Sequence, residues 1–176
     1  MIVVSDHSPH WAAQFRELRD RLAPHVADIA VAVEHVGSTS VPGCAAKPII
    51  ELDIVVACPS AMPELVARLT GQGYRHEGDL GIAGREAFRA PEAPIPHHLY
   101  GVVEGSKPHL DHVLLRDYLR LHLEEVRRYS ELKRTLARRF TGDREGRAAY
   151  LAAKSGLVEE LLGKAYRAAR PPSTTG

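Results

Sequence analysis

The 176-residue chain predicts an α+β fold: a small mixed β-sheet with helices on one side, followed by a C-terminal helical segment. Three observations predict it. Apolar runs at 29–36, 49–56 and 97–103 are rich in β-branched residues and have strand length. Apolar residues recur at spacings of three and four over 9–23 and 62–71. From His109 onward the pattern is helical throughout. One domain is expected over 1–170, with a core at about 1–106 and a helical part at about 107–168, and 171–176 read as a disordered tail.

Ile2-Val3-Val4 is expected as an edge strand or an arm. Ser8-Pro9 has the form of an N-cap followed by proline at the first helical position. Trp11, Phe15, Leu18 and Leu22 then give the core face of a helix that Pro24 ends or kinks. The first strand, 29–36, leads into a turn at 37–43, with a short helical turn at 43–46. Small side chains at Gly37 and Ser38 let the backbone turn tightly and let a ligand approach its N–H groups, and Ser38, Thr39 and Ser40 add hydroxyls. Lys47 is held extended by Pro48 and is either a solvated strand-entry residue or a phosphate contact.

The strand Ile49–Val56 carries two acids. Side chains alternate along a strand, so Glu51 and Asp53 share a face about 7 Å apart. Two like charges at a half-buried position are costly unless a cation lies between them, and a divalent ion with oxygen ligands is the natural one. Met62, Leu65, Val66 and Leu69 make a helix ending at Gly71 or Gly73. A short strand is expected at 74–76, then two short strands and a lid-like loop within the Gly- and Pro-rich stretch 78–96. His97–Val103 is the last strand, with His98 and Tyr100 on one face and His97 and Leu99 on the other.

Leu110, Val113, Leu114 and Tyr118 mark the next helix. Arg116 and Arg120, four apart, form either a solvated ion-paired face or one turned to a phosphate. His109 and His112 are helical neighbours but lack a third metal ligand. Val126, Tyr129, Leu132, Leu136 and Phe140 mark the core stripe of a helix at 123–140. Its outer face, with Arg127, Arg128, Lys133, Arg138 and Arg139, reads as solvated. The final helix, 144–168, follows a loop at 141–143 and has Tyr150, Leu151, Leu157, Leu161 and Leu162 as its apolar stripe.

A net charge of +1 argues against a dedicated polyanion-binding surface, so a nucleic-acid partner is not favoured. The two cysteines, Cys44 and Cys58, fit neither a metal spacing nor a disulfide framework, and a reduced, cytoplasmic protein is expected. No run is long enough to cross a membrane, and the first residues are too polar for a signal peptide.

A Gly-Ser turn followed by an acid-x-acid strand resembles the nucleotidyltransferase superfamily. The runs HVGSTSVPG at 35–43, AAKPIIELDIVV at 45–56, HHL at 97–99 and RDYLR at 116–120 resemble the GrpB-like family, over Trp11 to Tyr166. That family also occurs fused to dephospho-CoA kinase. The resemblance implies a nucleotidyltransferase-like fold in which Gly37, Ser38, Thr39 and Ser40 hold phosphate and Glu51 and Asp53 hold magnesium, or manganese in its place. It also implies Arg85 and Arg89 as a basic strand, and Tyr150 with Lys154 as a recurring C-terminal pair. Where nucleotidyltransferases carry a third carboxylate, this chain has histidines, so His98 stands as metal ligand, general base or buried strand residue.

Three functions remain open. The first is a magnesium-dependent nucleotidyl- or phosphoryl-transferase with Glu51, Asp53 and His98 as catalytic residues. Gly37, Ser38, Thr39, Ser40, Lys47, Arg85 and Arg116 would hold a nucleoside triphosphate, with an unknown acceptor. The second is an inactive nucleotide- or CoA-binding regulatory module. The third is a structural or partner-binding domain in which Lys47 and Arg85 neutralise the two acids.

Overall fold

In a computed structural model, residues 1–170 are described. The tail expected at 171–176 lies outside them. Five strands form one sheet: β1 (Ala30–Val36), β2 (Ile50–Val56), β3 (Arg75–Gly78), β4 (Arg85–Arg89) and β5 (His97–Val103). The order is β1-β2-β5-β4-β3. β2 and β5 run parallel, and all other pairs are antiparallel. The sheet is therefore mixed, as expected, and β5, last in sequence, lies at its centre beside β2.

Alternation along β2 divides the sheet into two faces. Ile50, Leu52, Ile54 and Val56 face a core built with α1 (His10–Val26) and α2 (Met62–Gly71). Trp11, Leu18, Leu22 and Val26 come from α1, and Met62, Leu65 and Leu69 from α2. The other face is polar. Its cross-strand rows read Glu34–Asp53–Tyr100–Ala87 and Val36–Glu51–His98–Arg89. Three C-terminal helices, α3 (Lys107–Leu121), α4 (Leu123–Arg139) and α5 (Arg144–Ala169), pack together beside this face. Val41, Cys44, Leu119, Val126, Tyr129 and Leu161 form the core between those helices and the turn after β1. Asp143 caps α5 by accepting the Gly146 N–H at 2.7 Å.

Some local expectations shift. α1 runs through Pro24 to Val26, because a fully buried Val26 and the Ala27 N–H to Ala23 carbonyl bond at 3.0 Å hold its last turn. Residues 2–4 form an arm: Ile2 packs on Leu136 and Tyr150, and Ser5 makes a single bridge to Ala46. The helical turn expected at 43–46 falls at Ser38–Ser40. Between 78 and 96 there is one strand, β4, where two were expected.

Gly101, in the middle of β5, sits under α2. A Cβ there would lie 2.9 Å from Leu65 Cδ2 and Met62 Sδ, and Leu65 is fully buried. Gly101→Val should destabilise the protein by about 1–3 kcal/mol, seen as a lower urea midpoint with an unchanged slope.

Candidate functional site

The site is built where β1 ends. Gly37 takes φ +71° and ψ −175°, a backbone that an L side chain rarely adopts. A Cβ at Gly37 would fall 1.6 Å from Glu51 Oε2. The glycine thus gives the chain its turn and leaves room for the carboxylate arriving from β2. Ser38–Ser40 then make one 3₁₀ turn, in which the Ser40 N–H and Oγ both donate to the Gly37 carbonyl, at 3.2 and 2.5 Å.

Other elements fix this turn from outside. Arg120 of α3 donates from Nε and Nη2 to the Ser40 carbonyl at 3.0 and 2.8 Å. The Ala45 N–H donates to Ser130 Oγ of α4 at 3.0 Å. Thr39 Oγ1 meets His35 Nε2 at 3.0 Å, and the His35 ring stacks on Phe15 at 4.7 Å. Burial, with Arg120 and Arg116 nearby, pulls the His35 pKa down to about 4, so the ring is neutral at pH 7.

Beside the turn opens a cavity of about 280 Å³. Ser38, Thr39, Lys47, Glu51 and His98 line it from the turn and the sheet. Lys133 of α4 and Tyr150 and Lys154 of α5 close it from the other side. Three lysines therefore meet one carboxylate. Lys47 Nζ lies 4.6 Å from the centre of the Tyr150 ring, and Lys154 Nζ lies 5.9 Å from the same centre. Burial, with repulsion from Lys154, lowers the Lys47 pKa. Lys133 is 2% exposed. Its Nζ donates to Ser38 Oγ at 2.7 Å, approaches Cys44 Sγ at 3.3 Å and lies 4.0 Å from the Tyr129 ring centre. Burial pulls its pKa down to about 8. Among the described residues, Lys107 and Lys164 are paired with carboxylates within 4 Å, whereas Lys47, Lys133 and Lys154 are not.

The two acids of β2 have different surroundings. Glu51 is half-buried and lines the cavity, with its Oε1 4.0 Å from His98 Nδ1. Asp53 is fully buried; its Oδ2 meets His112 Nδ1 of α3 at 2.7 Å, and its Oδ1 has no hydrogen-bond partner. Burial opposes charge on His112, but the bond to Asp53 and the charges of Asp53 and Glu51 outweigh it and raise the pKa. Neither acid makes an ion pair with Lys47 or Arg85 among the described residues; their ionic partners are His98 and His112. No group of three or more His, Cys, Asp or Glu side chains placed to hold a metal occurs among the described residues.

The fold thus brings Ser38, Thr39, Lys47, Glu51 and His98 to one cavity. Gly37 and Ser40 shape the turn behind it. Two arginines lie elsewhere. Arg116 donates to Glu34 Oε2 at 2.5 Å and to the His35 carbonyl at 3.1 Å, and also pairs with Asp117. The Arg85 guanidinium stacks on the Tyr100 ring at 4.7 Å. His97 faces the opposite side, against Tyr74 Oη at 2.8 Å. His109 Nδ1 accepts the Gly105 N–H, away from His112. Lys133 is the residue that sequence reasoning misplaced: it belongs to the buried stripe, one turn after Tyr129, while Arg127, Arg128, Arg138 and Arg139 are exposed as expected. The i, i+4 spacing from Tyr129 was the available signal.

The sequence profile of the GrpB protein family matches residues 1–164. A UPF0157 protein of Pseudomonas aeruginosa is 34% identical over 97% of this chain and 70% of its own length. UPF0157 protein YqkA of Bacillus subtilis is 36% identical over 74% of this chain, which spans 38% of that relative. A protein of Mycolicibacterium paratuberculosis named dephospho-CoA kinase is 28% identical over 90% of this chain and 44% of its own length. The crystal structure of conserved protein GrpB from Enterococcus faecalis superposes with a TM-score of 0.83 at 28% identity, covering 94% of this chain and 98% of that one.

A lysine whose pKa falls from 10.5 to about 8 carries a desolvation cost on the order of 3 kcal/mol in its charged form. Lys133→Met should therefore stabilise the protein by about 1–3 kcal/mol at pH 7. The sign with pH follows from proton uptake. Between about pH 8 and 10.5 the unfolded chain binds more protons at this lysine, so its contribution makes wild-type stability rise with pH. The stability gap between Lys133→Met and wild type should close over that window, as measured by urea denaturation at stepped pH.

Proposed function

The chain belongs to the GrpB family, and from that premise we propose that its cavity binds the phosphate groups of a nucleoside triphosphate or a CoA-like phosphorylated small molecule. The observation that carries this is the convergence of Lys47, Lys133 and Lys154, none of them paired with a carboxylate within 4 Å, on a cavity that also presents the Ser38 hydroxyl. Bringing ammonium groups together in a partly desolvated cleft is costly unless an anion lies between them. A polyphosphate supplies the charge and the acceptors that three lysines and two hydroxyls can satisfy. The relative named dephospho-CoA kinase supports a phosphorylated ligand of this class.

Glu51 and Asp53 fit one hard divalent cation. Asp53 Oδ1 is a buried acceptor without a partner, and the Glu51 carboxylate lies on the same face of β2 and opens to the cavity. Magnesium, or manganese in its place, is commonly held by one or two carboxylates, with water and phosphate oxygens completing the shell. When bound, such an ion would neutralise phosphate charge and make the phosphorus more electrophilic. The chain's own residues would do the rest. Lys47 and Lys154 orient the phosphates, Ser38 and Thr39 offer hydroxyls to their oxygens, and His98 at the rim can take a proton from an incoming acceptor. On this basis the activity is nucleotidyl or phosphoryl transfer. The alternative, a regulatory module that binds the same ligand without turnover, is favoured because Glu34, the carboxylate across from Asp53, is taken by Arg116, and no group of three or more His, Cys, Asp or Glu side chains is placed to hold a metal among the described residues.

Calorimetric titration with ATP, CoA and inorganic triphosphate, with and without magnesium, tests the ligand. Each of Lys47→Met and Lys154→Met should weaken binding about tenfold or more, since one charge-assisted hydrogen bond contributes about 1.5–3 kcal/mol. No heat with any of the three ligands would rule the reading out. Glu51→Ala, which leaves the buried Asp53–His112 contact intact, should keep the fold, by circular dichroism, and weaken the dependence on magnesium. Released pyrophosphate or a labelled acceptor separates the transferase from the binding module.

A further inference from the structure

The phosphate reading leaves unexplained why Lys133 is buried so completely. Lys47 and Lys154 reach the cavity as ordinary half-buried or exposed lysines do. Lys133 lies under the turn, with its Nζ 2.7 Å from Ser38 Oγ. Ser38 is half-buried, follows the left-handed Gly37 at the strand end and lines the cavity. A hydroxyl open to a cleft on one side, and held to a desolvated amine without a carboxylate partner on the other, has the geometry of an activated nucleophile.

We propose that Ser38 is a nucleophile and Lys133 its general base, so that a phosphorus electrophile bound in the cavity becomes covalently attached to Ser38 Oγ. This deepens the phosphate-binding reading and rests on it. In the step, neutral Lys133 Nζ accepts the Ser38 hydroxyl proton as Oγ bonds to phosphorus. The bond from phosphorus to the bridging oxygen of the anhydride breaks, and the shorter polyphosphate leaves. The proton on Lys133 then passes to the departing phosphate or to water. Lys47 and Lys154, which line the same cavity, offset negative charge on the non-bridging oxygens.

Two features support the base role. Burial brings the Lys133 pKa to about 8, so a usable fraction of the amine is neutral near physiological pH. Its neighbours act in both directions: burial and the charge of Lys154 on α5 favour the neutral amine, whereas Cys44 at 3.3 Å, the Tyr129 ring and the charge of Glu51 on β2 favour the ammonium, and burial outweighs them. A salt-bridged lysine would be locked as an ammonium; this one is not.

The test uses a fluorophosphonate probe, which carries its own electrophilic phosphorus and leaving fluoride and needs neither nucleotide nor metal. Intact-protein mass spectrometry with peptide mapping should find one adduct, on Ser38. Its rate should rise through an inflection near pH 8. Ser38→Ala should abolish it. Lys133→Met, whose fold is checked by circular dichroism, should slow it at least about 100-fold. Incubation with ATP and magnesium should give a phosphoryl or adenylyl adduct on the same serine. The proposal is overturned by no adduct, by an adduct on Cys44, Tyr129 or Lys133, or by equal rates in wild type and folded Lys133→Met. Lys133-dependent labelling of Ser38 by the probe, with no binding of nucleotide or CoA, would keep the dyad and remove the ligand class. Nucleotide binding without probe labelling would remove the dyad alone.

Discussion

The placement of the C-terminal helices depends on one buried carboxylate. Asp53 has no solvent exposure and reaches across to His112 at 2.7 Å. His112, Arg116 and Arg120 are each four residues apart, so they form one stripe of α3. Each member of the stripe has a fixed partner: Asp53, then Glu34 with the His35 carbonyl, then the Ser40 carbonyl. An apolar helix face can slide on an apolar sheet with little penalty. A stripe of directional donors cannot, because each shift would strand a buried acceptor. Such pairs contribute more to register than to net stability. Here the register sets where α4 and α5 come down, and so where the cavity lies.

The same logic separates the positive groups of the protein into two kinds. Arg116, Arg120 and Arg68 are satisfied internally, by carboxylates or carbonyls. Lys47, Lys133 and Lys154 converge without such partners. That is a local electrostatic conflict, and conflicts of this kind concentrate at functional sites. The desolvation of Lys133 is the clearest case, since a methionine of similar length would fill the same space without it. Keeping a lysine there makes sense only if its charge or its lone pair is used.

Much of the architecture could be read from one strand and two turns. The alternation in Ile50–Val56 set the two faces of the sheet, and the glycine-serine turn after Val36 marked the site. Less legible were the groups that arrive from far along the chain. His112 meets Asp53 across 59 residues, and Lys133 meets Ser38 across 95. No local pattern encodes such pairs. Lys133 was a phase error, because a lysine in a basic run reads as solvated even when its helical angle matches Tyr129. Arg116 shares a face of α3 with Arg120, as their spacing shows, but no local pattern indicates that Glu34, on the edge strand, claims it. The arm at residues 2–4 is similar: its hydrophobicity was visible, while its docking on Leu136 and Tyr150 was not.

The acidic pair itself shows how a local pattern and a tertiary contact divide the work. Glu51 and Asp53 share a face, two residues apart, and look equivalent in sequence. The stripe of α3 passes over the Glu34–Asp53–Tyr100 row and seals it. The next row, Val36–Glu51–His98, lies beyond that stripe and opens to the cavity. One pleat of displacement thus turns one acid into an anchor and leaves the other facing the lysines. The separation is incomplete, because Asp53 Oδ1 remains buried and unpartnered. A buried carboxylate with one oxygen bound and one free is stable only if the free oxygen has an occasional positive partner. The proposed cation between it and Glu51 would meet that need and join the anchor to the site.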